Sequence, residues 1–309
     1  CLLMTEHANL IIKKVMSISL GSSTRDAIRT LTLGNYKFVL ERRGTDGDLQ
    51  QAEALFRAFD GKVDAFGLGG TDLYLFAGNK RYLLKESFRL ISSVRHTPVV
   101  DGSGLKNSWE RHVILDLAAG QTVNFKDKQV LMVCAVDRFG MAQALATQGC
   151  HLICGDILYG LNLNLPLHSL QQIDFWARLL VPFISRLPVR WFYPLGKQQQ
   201  TRQQRFPEYF TSSDIIAGDF HFIRRFMPDK LPGKIIITNT VTAEDLQFLK
   251  TAGITKVITT TPCLTGRSFG TNMLEAVLVA MQGAREPLQA EEYVQILQKL
   301  SVRYSCIDL

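Results

Sequence analysis

Residues 129–140 read QVLMVCAVDRFG, and this stretch decides the fold. Gln129 to Val136 is a continuous apolar run, the pattern of a strand buried on both faces. Phe139 to Gln148 (FGMAQALATQ) predicts a helix, and Gly149 ends it. His151 to Cys154 (HLIC) predicts a second strand. Strand, turn, helix and parallel strand of this length make one right-handed crossover unit.

The alternation continues toward the C-terminus. Residues 168–187 predict a long helix kinked at Pro182. Three further strands are expected at Asp214–Ala217, Lys234–Ile237 and Lys256–Ile258, each running into small polar residues. Helices are expected over Phe220–Phe226, from a Thr242 cap to Ala252, over Asn272–Gln282 and near Ala290–Leu300. Residues 194–207 (PLGKQQQTRQQRFP) read as a solvated basic loop or as a lid.

Toward the N-terminus the pattern changes to shorter, turn-rich strands. Met16–Leu20, Ala27–Leu33, Lys37–Arg42, Val63–Leu68, Leu73–Ala77 and Arg81–Leu84 are β-prone, with Gly34-Asn35 and Gly78-Asn79 as hairpin turns. Asp48 caps a helix whose Leu49, Ala52, Leu55, Phe56 and Phe59 share a face. The expected fold is α/β. A C-terminal Rossmann-like doubly wound parallel sheet (127–283) follows a smaller hairpin-rich N-terminal α/β domain (16–104). A linking helix (105–126) joins them and a C-terminal helix (284–309) closes the chain. Residues 1–15 read as a non-native or disordered extension.

With 309 residues, 46% hydrophobic and 20% charged, the chain can bury two cores. No apolar run reaches the roughly 18 residues of a membrane span. The net charge of +7 is spread along the chain, which favours a small anionic substrate and argues against nucleic acid. The six cysteines include Cys150 and Cys154 but no second pair to complete a metal site, and a reducing cytoplasm is the simplest reading. Assembly into a homo-oligomer is compatible with the composition.

The turn Ala135-Val136-Asp137-Arg138-Phe139-Gly140 aligns with the dinucleotide fingerprint G-x-G-x-x-G. Ala135 and Asp137 stand at its first two glycines and Gly140 at the third, where close helix–sheet packing excludes a side chain. A carboxylate at 137 would repel a pyrophosphate, and Arg138 would offset it. Asp156 lies 21 residues beyond Ala135, placed to grip a ribose hydroxyl, which favours NAD over NADP. Ligands of doubly wound sheets bind beyond the carboxyl ends of the strands, so Asp219, Asn239 and Thr261 join this cofactor set.

Three acidic glycine loops carry Thr45-Asp46, Gly70-Thr71-Asp72 and Asp101-Gly102, and Lys106 follows the last. Lys106 with Asp101 or Asp72 is the expected catalytic pair, since a Lys–Asp couple can move a hydroxyl proton. Thr45, Asp46 and Gly70 are expected at the substrate. Gly266, Arg267 and Asn272, at a helix N-terminus, form a second anion cradle. His221 reads as a structural histidine or as an acid/base.

The segments SISLGSSTRD, RRGTDGD, DAFGLGGTDLYL, AVDRFGMAQAL, GDFHFIRRFMP and TTTPCLTGRSFGTN together resemble a bacterial family labelled quinate 5-dehydrogenase. The resemblance spans most of Met16 to Gly283. It implies NAD(P)-linked oxidation of a small hydroxy acid such as quinate or shikimate, with Lys106 and a nearby Asp as the Lys–Asp pair. Two other readings stand beside it: a non-redox nucleotide- or metabolite-binding sensor on the same fold, and an isomerase or lyase run by the acidic loops.

Overall fold

The computed structural model describes residues 10–77, 80–185, 202–261, 263–264 and 267–309. The N-terminal half contains β1 (Ile11–Ser19), β2 (Ala27–Leu33), β3 (Tyr36–Gly44), α1 (Leu49–Phe59), β4 (Ala65–Gly69), the hairpin β5 (Tyr74–Ala77) and β6 (Lys80–Leu83), α2 (Lys85–Leu90) and β7 (Val99–Val100). Next come α3 (Ser103–Asn107), α4 (Trp109–Ala119), β8 (Gln129–Met132), α5 (Phe139–Ala146), β9 (His151–Cys154), α6 (Asp156–Leu161) and α7 (Leu170–Ile184). The chain continues through α8 (Pro207–Ser212), β10 (Ile215–Gly218), α9 (Phe220–Phe226), β11 (Ile235–Thr238), α10 (Ala243–Ala252) and β12 (Lys256–Thr259). It ends with β13 (Cys263–Leu264), β14 (Arg267–Ser268), α11 (Thr271–Gln282), α12 (Ala290–Lys299) and β15 (Ser305–Asp308).

The C-terminal sheet has the order β15-β12-β11-β10-β8-β9, parallel except for β15. Counted from β8, its five parallel strands run 2-1-3-4-5, the doubly wound order of flavodoxin-like folds. Its topological switch point lies between β8 and β10, where a ligand crevice is expected. Val130 and Met132 pack in one core, and Leu131 and Val133 in the core on the opposite face. That two-sided burial is what the unbroken apolar run required.

The N-terminal sheet has the order β2-β3-β1-β4-β7, with only β2 antiparallel. One core cluster runs from this sheet to the other through α4, α5 and α11. The two domains therefore share apolar packing, and the carboxyl ends of the strands flanking the switch point meet loops from the first domain.

Four expectations about organisation are corrected. Strand β1 begins at Ile11, inside the stretch set aside as an extension, and pairs with β3 over its whole length. Its first residues project past the core, and Lys13 pairs with Asp64 at 2.9 Å, so charge there is compatible with a strand. The single linking helix is two helices, α3 and α4, broken at Ser108. Helix α11, assigned to the Rossmann domain, instead packs on β1, β4 and β7 of the first sheet. It is buried almost all round, so it suits a core between two layers. Gly67 marks its path, because a Cβ there would sit 2.8 Å from the Asn272 carbonyl oxygen. Finally, the chain closes with strand β15 on the edge of the second sheet, not with a helix. The Gly78-Asn79 turn and residues 194–201 of the Gln-rich stretch lie outside the described residues.

Candidate functional site

The site is organised by the turn Val133–Arg138, which leaves β8 at the switch point. Its backbone is held from below by Asp156, the first residue of α6. The Asp156 carboxylate accepts from the Ala135 N–H at 3.1 Å and the Val136 N–H at 2.9 Å, and Cys134 Sγ lies 3.6 Å away. Burial, against these donors, pushes the Asp156 carboxyl above its ordinary range. Asp156 was expected to reach outward to a ribose. It reaches back instead, because the first turn presents amides closer than any ligand would be.

On one side of the turn lies a buried ion network. Lys106 Nζ sits 2.6 Å from Asp72 and 2.6 Å from Asp137. Arg138, 1% exposed, pairs with Glu110 of α4, with Asp219 after β10 at 3.1 Å, and with Asp137 at 3.4 Å. Four carboxylates thus surround two cations. Burial pushes Asp72 up to about 8 even with Lys106 beside it. Burial also acts to raise Asp137, but Lys106 and Arg138 outweigh it and hold that carboxyl well below the usual range. Lys106 and Arg138 are buried as well, yet the surrounding carboxylates raise both, so each stays protonated. Asp219 is held low chiefly by Arg138, against burial.

On the other side, Val133, Cys134 and Val136 wall an apolar cavity of about 120 Å³. Leu75 of the β5–β6 hairpin, Trp176 of α7 and Phe222 of α9 close it, and Asp156 lies at its edge. Burial raises the Cys134 thiol well above its ordinary value, so it is not poised as a nucleophile.

The pyrophosphate position of a dinucleotide fold is the N-terminus of α5. Here the Gly140 N–H donates to Asn107 Oδ1 of α3 at 3.2 Å. A Cβ on Gly140 would fall 2.5 Å from the Asn107 carbonyl oxygen. Gly140 is therefore a contact with α3, which corrects its expected role against the sheet. Phe139 is buried in the core, Ala135 is fully covered, and the Arg138 side chain turns inward to Glu110. These residues do not fit a dinucleotide pyrophosphate at this turn.

Of the expected catalytic set, Lys106 and Asp72 are brought together and Asp101 is not. The Asp101 carboxylate accepts from the Leu73, Tyr74 and Ser103 N–H groups and staples two loops. Asp46 is likewise engaged, accepting from the Ser23 N–H at 3.0 Å and its hydroxyl at 2.6 Å. Thr45 is buried, its N–H on the Ser19 carbonyl. Gly70, at φ +78°, lets its loop cross close to Leu20 and Gly21. Asn272 donates to Ser17 Oγ at 2.8 Å and so docks α11. Asn239 donates to Asp219 at 2.9 Å, and the buried Thr261 donates its N–H to the Asn239 carbonyl. Gly266 lies outside the described residues, as does the Arg267 side chain. His221 is exposed, its N–H on Asp219.

Sequence reading missed Glu110 and Asn107. Glu110 carries a usable signal, since Val113, Ile114 and Leu117 share its helical face and are buried. A carboxylate in an apolar stripe demands a cation. Asn107 carries none, because its role depends on a backbone contact between two helices.

Among the described residues no group of His, Cys, Asp or Glu is placed to hold a metal ion, and no helix is long and apolar enough to cross a membrane. By its sheets, the chain is an α/β protein with a Rossmann-like doubly wound domain behind a smaller parallel-sheet domain. It belongs to the family described as Domain of unknown function (DUF8754), which residues 104–309 match, while residues 14–101 match Domain of unknown function (DUF8753). No curated protein sequence matches it significantly. Loosely similar solved structures include Entamoeba histolytica malic enzyme, at TM-score 0.41 and 12% identity over 94% of this chain. This chain spans 61% of that enzyme's length. A glutamate dehydrogenase (TM-score 0.41, 11% identity, 94% of this chain and 72% of that one) is similar to the same degree. A galactofuranose binding protein (TM-score 0.37, 11% identity, 94% and 98%) is looser.

Proposed function

We propose that this chain is a small-molecule-binding protein on a Rossmann-like fold, whose ligand seats one apolar, ring-sized group in the cavity beside Cys134 and Trp176. One observation carries this reading. The turn after β8 is closed on the pyrophosphate side by the chain's own Asn107 and Arg138, and hollow on the other. The cavity lies beyond the carboxyl ends of β8, β9 and β10, where doubly wound sheets take their ligands. Its volume is somewhat below the roughly 150 Å³ that accommodates benzene. Apolar walls disfavour a polyol acid such as quinate, whose hydroxyls would lose their partners there.

Oxidation of a hydroxy acid by NAD(P), which the sequence resemblance implies, would require a dinucleotide across the α5 N-terminus. A second reading, proton transfer at Asp72–Lys106–Asp137, is favoured by the two 2.6 Å contacts and by an Asp72 carboxyl lifted to about 8. An anionic substrate finds little charge to answer it there, because carboxylates already compensate both cations.

Trp176 supplies the test. Its emission is titrated with phenol, adenosine, NADH and NADPH, and Trp176→Phe assigns the signal. The expected result is a saturable change with phenol and none with either dinucleotide. Dinucleotide binding that competes with phenol, joined to turnover of quinate or shikimate, overturns the reading.

A further inference from the structure

Far from the switch point, a groove of about 480 Å³ opens between the loop that joins α2 to β7 and the segment that follows α11. Arg95, His96 and Arg285 line it together with the apolar Phe88, Val94 and Val99, and no carboxylate does. Among the described residues neither guanidinium is paired with an acid. This contrasts with Arg138 and Lys106, whose charges are fully answered.

The loop that carries two of these side chains is built rigidly. Asp60, at the end of α1, accepts from the Arg95 N–H at 2.8 Å, the His96 N–H at 3.0 Å and the Thr97 N–H at 2.9 Å. The Thr97 hydroxyl in turn accepts from the Gly61 N–H at 2.8 Å. The Asp60 carboxylate is therefore engaged with backbone, and Arg95 lines the groove. A guanidinium fork matches the oxygens of a phosphoryl group, and a preformed loop lowers the ordering cost of holding it.

We propose that this groove binds a phosphate monoester, with the phosphoryl group on Arg95 and Arg285 and an apolar substituent on Phe88, Val94 and Val99. His96, also on the groove wall, adds a ring N–H donor. The site is independent of the cavity beside Trp176.

The test uses the full chain, with phenyl phosphate and inorganic phosphate as probes, read by calorimetry and by the His96 ring resonances. Phenyl phosphate is expected to bind saturably and more tightly than inorganic phosphate, with affinity falling as salt is added. Arg95→Ala and Arg285→Ala are each expected to weaken it about tenfold, and Arg29→Ala, on a distant exposed strand, to leave it unchanged. Both arginines are exposed, so the variants are expected to keep the wild-type circular dichroism and melting temperature. The proposal is overturned by no saturation up to about 10 mM, a millimolar-range limit. It is also overturned if the arginine variants bind as well as wild type, or if Ala177→Leu, which fills the other cavity, removes the binding.

Discussion

The two sides of the turn Val133–Arg138 differ as sharply as any two regions of this molecule. Toward the first domain, Asp137 and Arg138 enter a network of six charged groups with almost no access to water. Toward α6 and α7, Val133, Cys134 and Val136 face an apolar hollow. The chain reverses here, with the Arg138 N–H donating to the Ala135 carbonyl at 3.1 Å, so one short turn serves two environments. The charged side locks the domains together, since Asp72 comes from the first, Lys106 from the linking α3, and Asp137, Arg138 and Asp219 from the second. On the apolar side Leu75 and Leu84 pack on Ala177 and Val181, and a hollow remains beside them. The proposed apolar ligand group therefore belongs on the hollow side of this turn.

The comparison is broken most directly at Arg138. Arg138→Met takes the paired cation from the buried Glu110 and from Asp219, while Asp137 keeps Lys106, and is expected to destabilise by about 3–5 kcal/mol in urea unfolding. Adding Glu110→Leu should recover part of that loss, because the buried charge is then removed with its partner. A double variant no better than Arg138→Met alone would show that the pair is not the source of the effect.

The pH dependence sharpens the same side. Asp72, at about 8 when folded, lies far above its unfolded value near 3.9. The folded state binds the extra proton throughout that window, so this group makes stability fall as pH rises from about 4 to about 8, then level off. Asp72→Asn should flatten that fall. Asp137 acts in the opposite sense below the ordinary carboxylate range, where stability is lost as pH drops. Stability that rises between pH 4 and 8 in wild type and not in Asp72→Asn would contradict the assignment.

Gly140→Ala tests the contact between α5 and α3. Its Cβ would collide with the Asn107 backbone, and a loss of roughly 1–3 kcal/mol is expected. A neutral result would reopen the α5 N-terminus to a ligand. The smallest effect on stability belongs to the apolar side. Ala177→Leu, on the cavity wall, should change stability by less than about 1.5 kcal/mol while abolishing the phenol response of Trp176.

Much of the second sheet was legible from periodicity and end signals. The run at 214–217, the Thr242 cap and the Gly253 stop fall within a residue of where elements begin or end, whereas the run at 129–136 is strand only to Met132 and its last four residues enter the turn. The pairing of Lys106 with Asp72 was among the alternatives drawn from loop composition, and the 2.6 Å contact realises it. Lys106 to Asp137 was not foreseen, because the two lie 31 residues apart on different elements and nothing local relates them. Asp156 was placed correctly at the end of β9 but misread in direction. A carboxylate past a strand end can face a ligand or cap a turn, and spacing does not separate the two.

The sequence by itself determined which segments become strands and helices, because those depend on side-chain period and on residues next to one another. It also determined that a carboxylate and an arginine stand in a turn that usually carries glycines. Only the tertiary structure decided where α11 packs, which side of that turn is filled, and that Gly140 faces Asn107. Those outcomes rest on contacts between residues far apart in the chain, and burial and charge compensation exist only once the two sheets have come together.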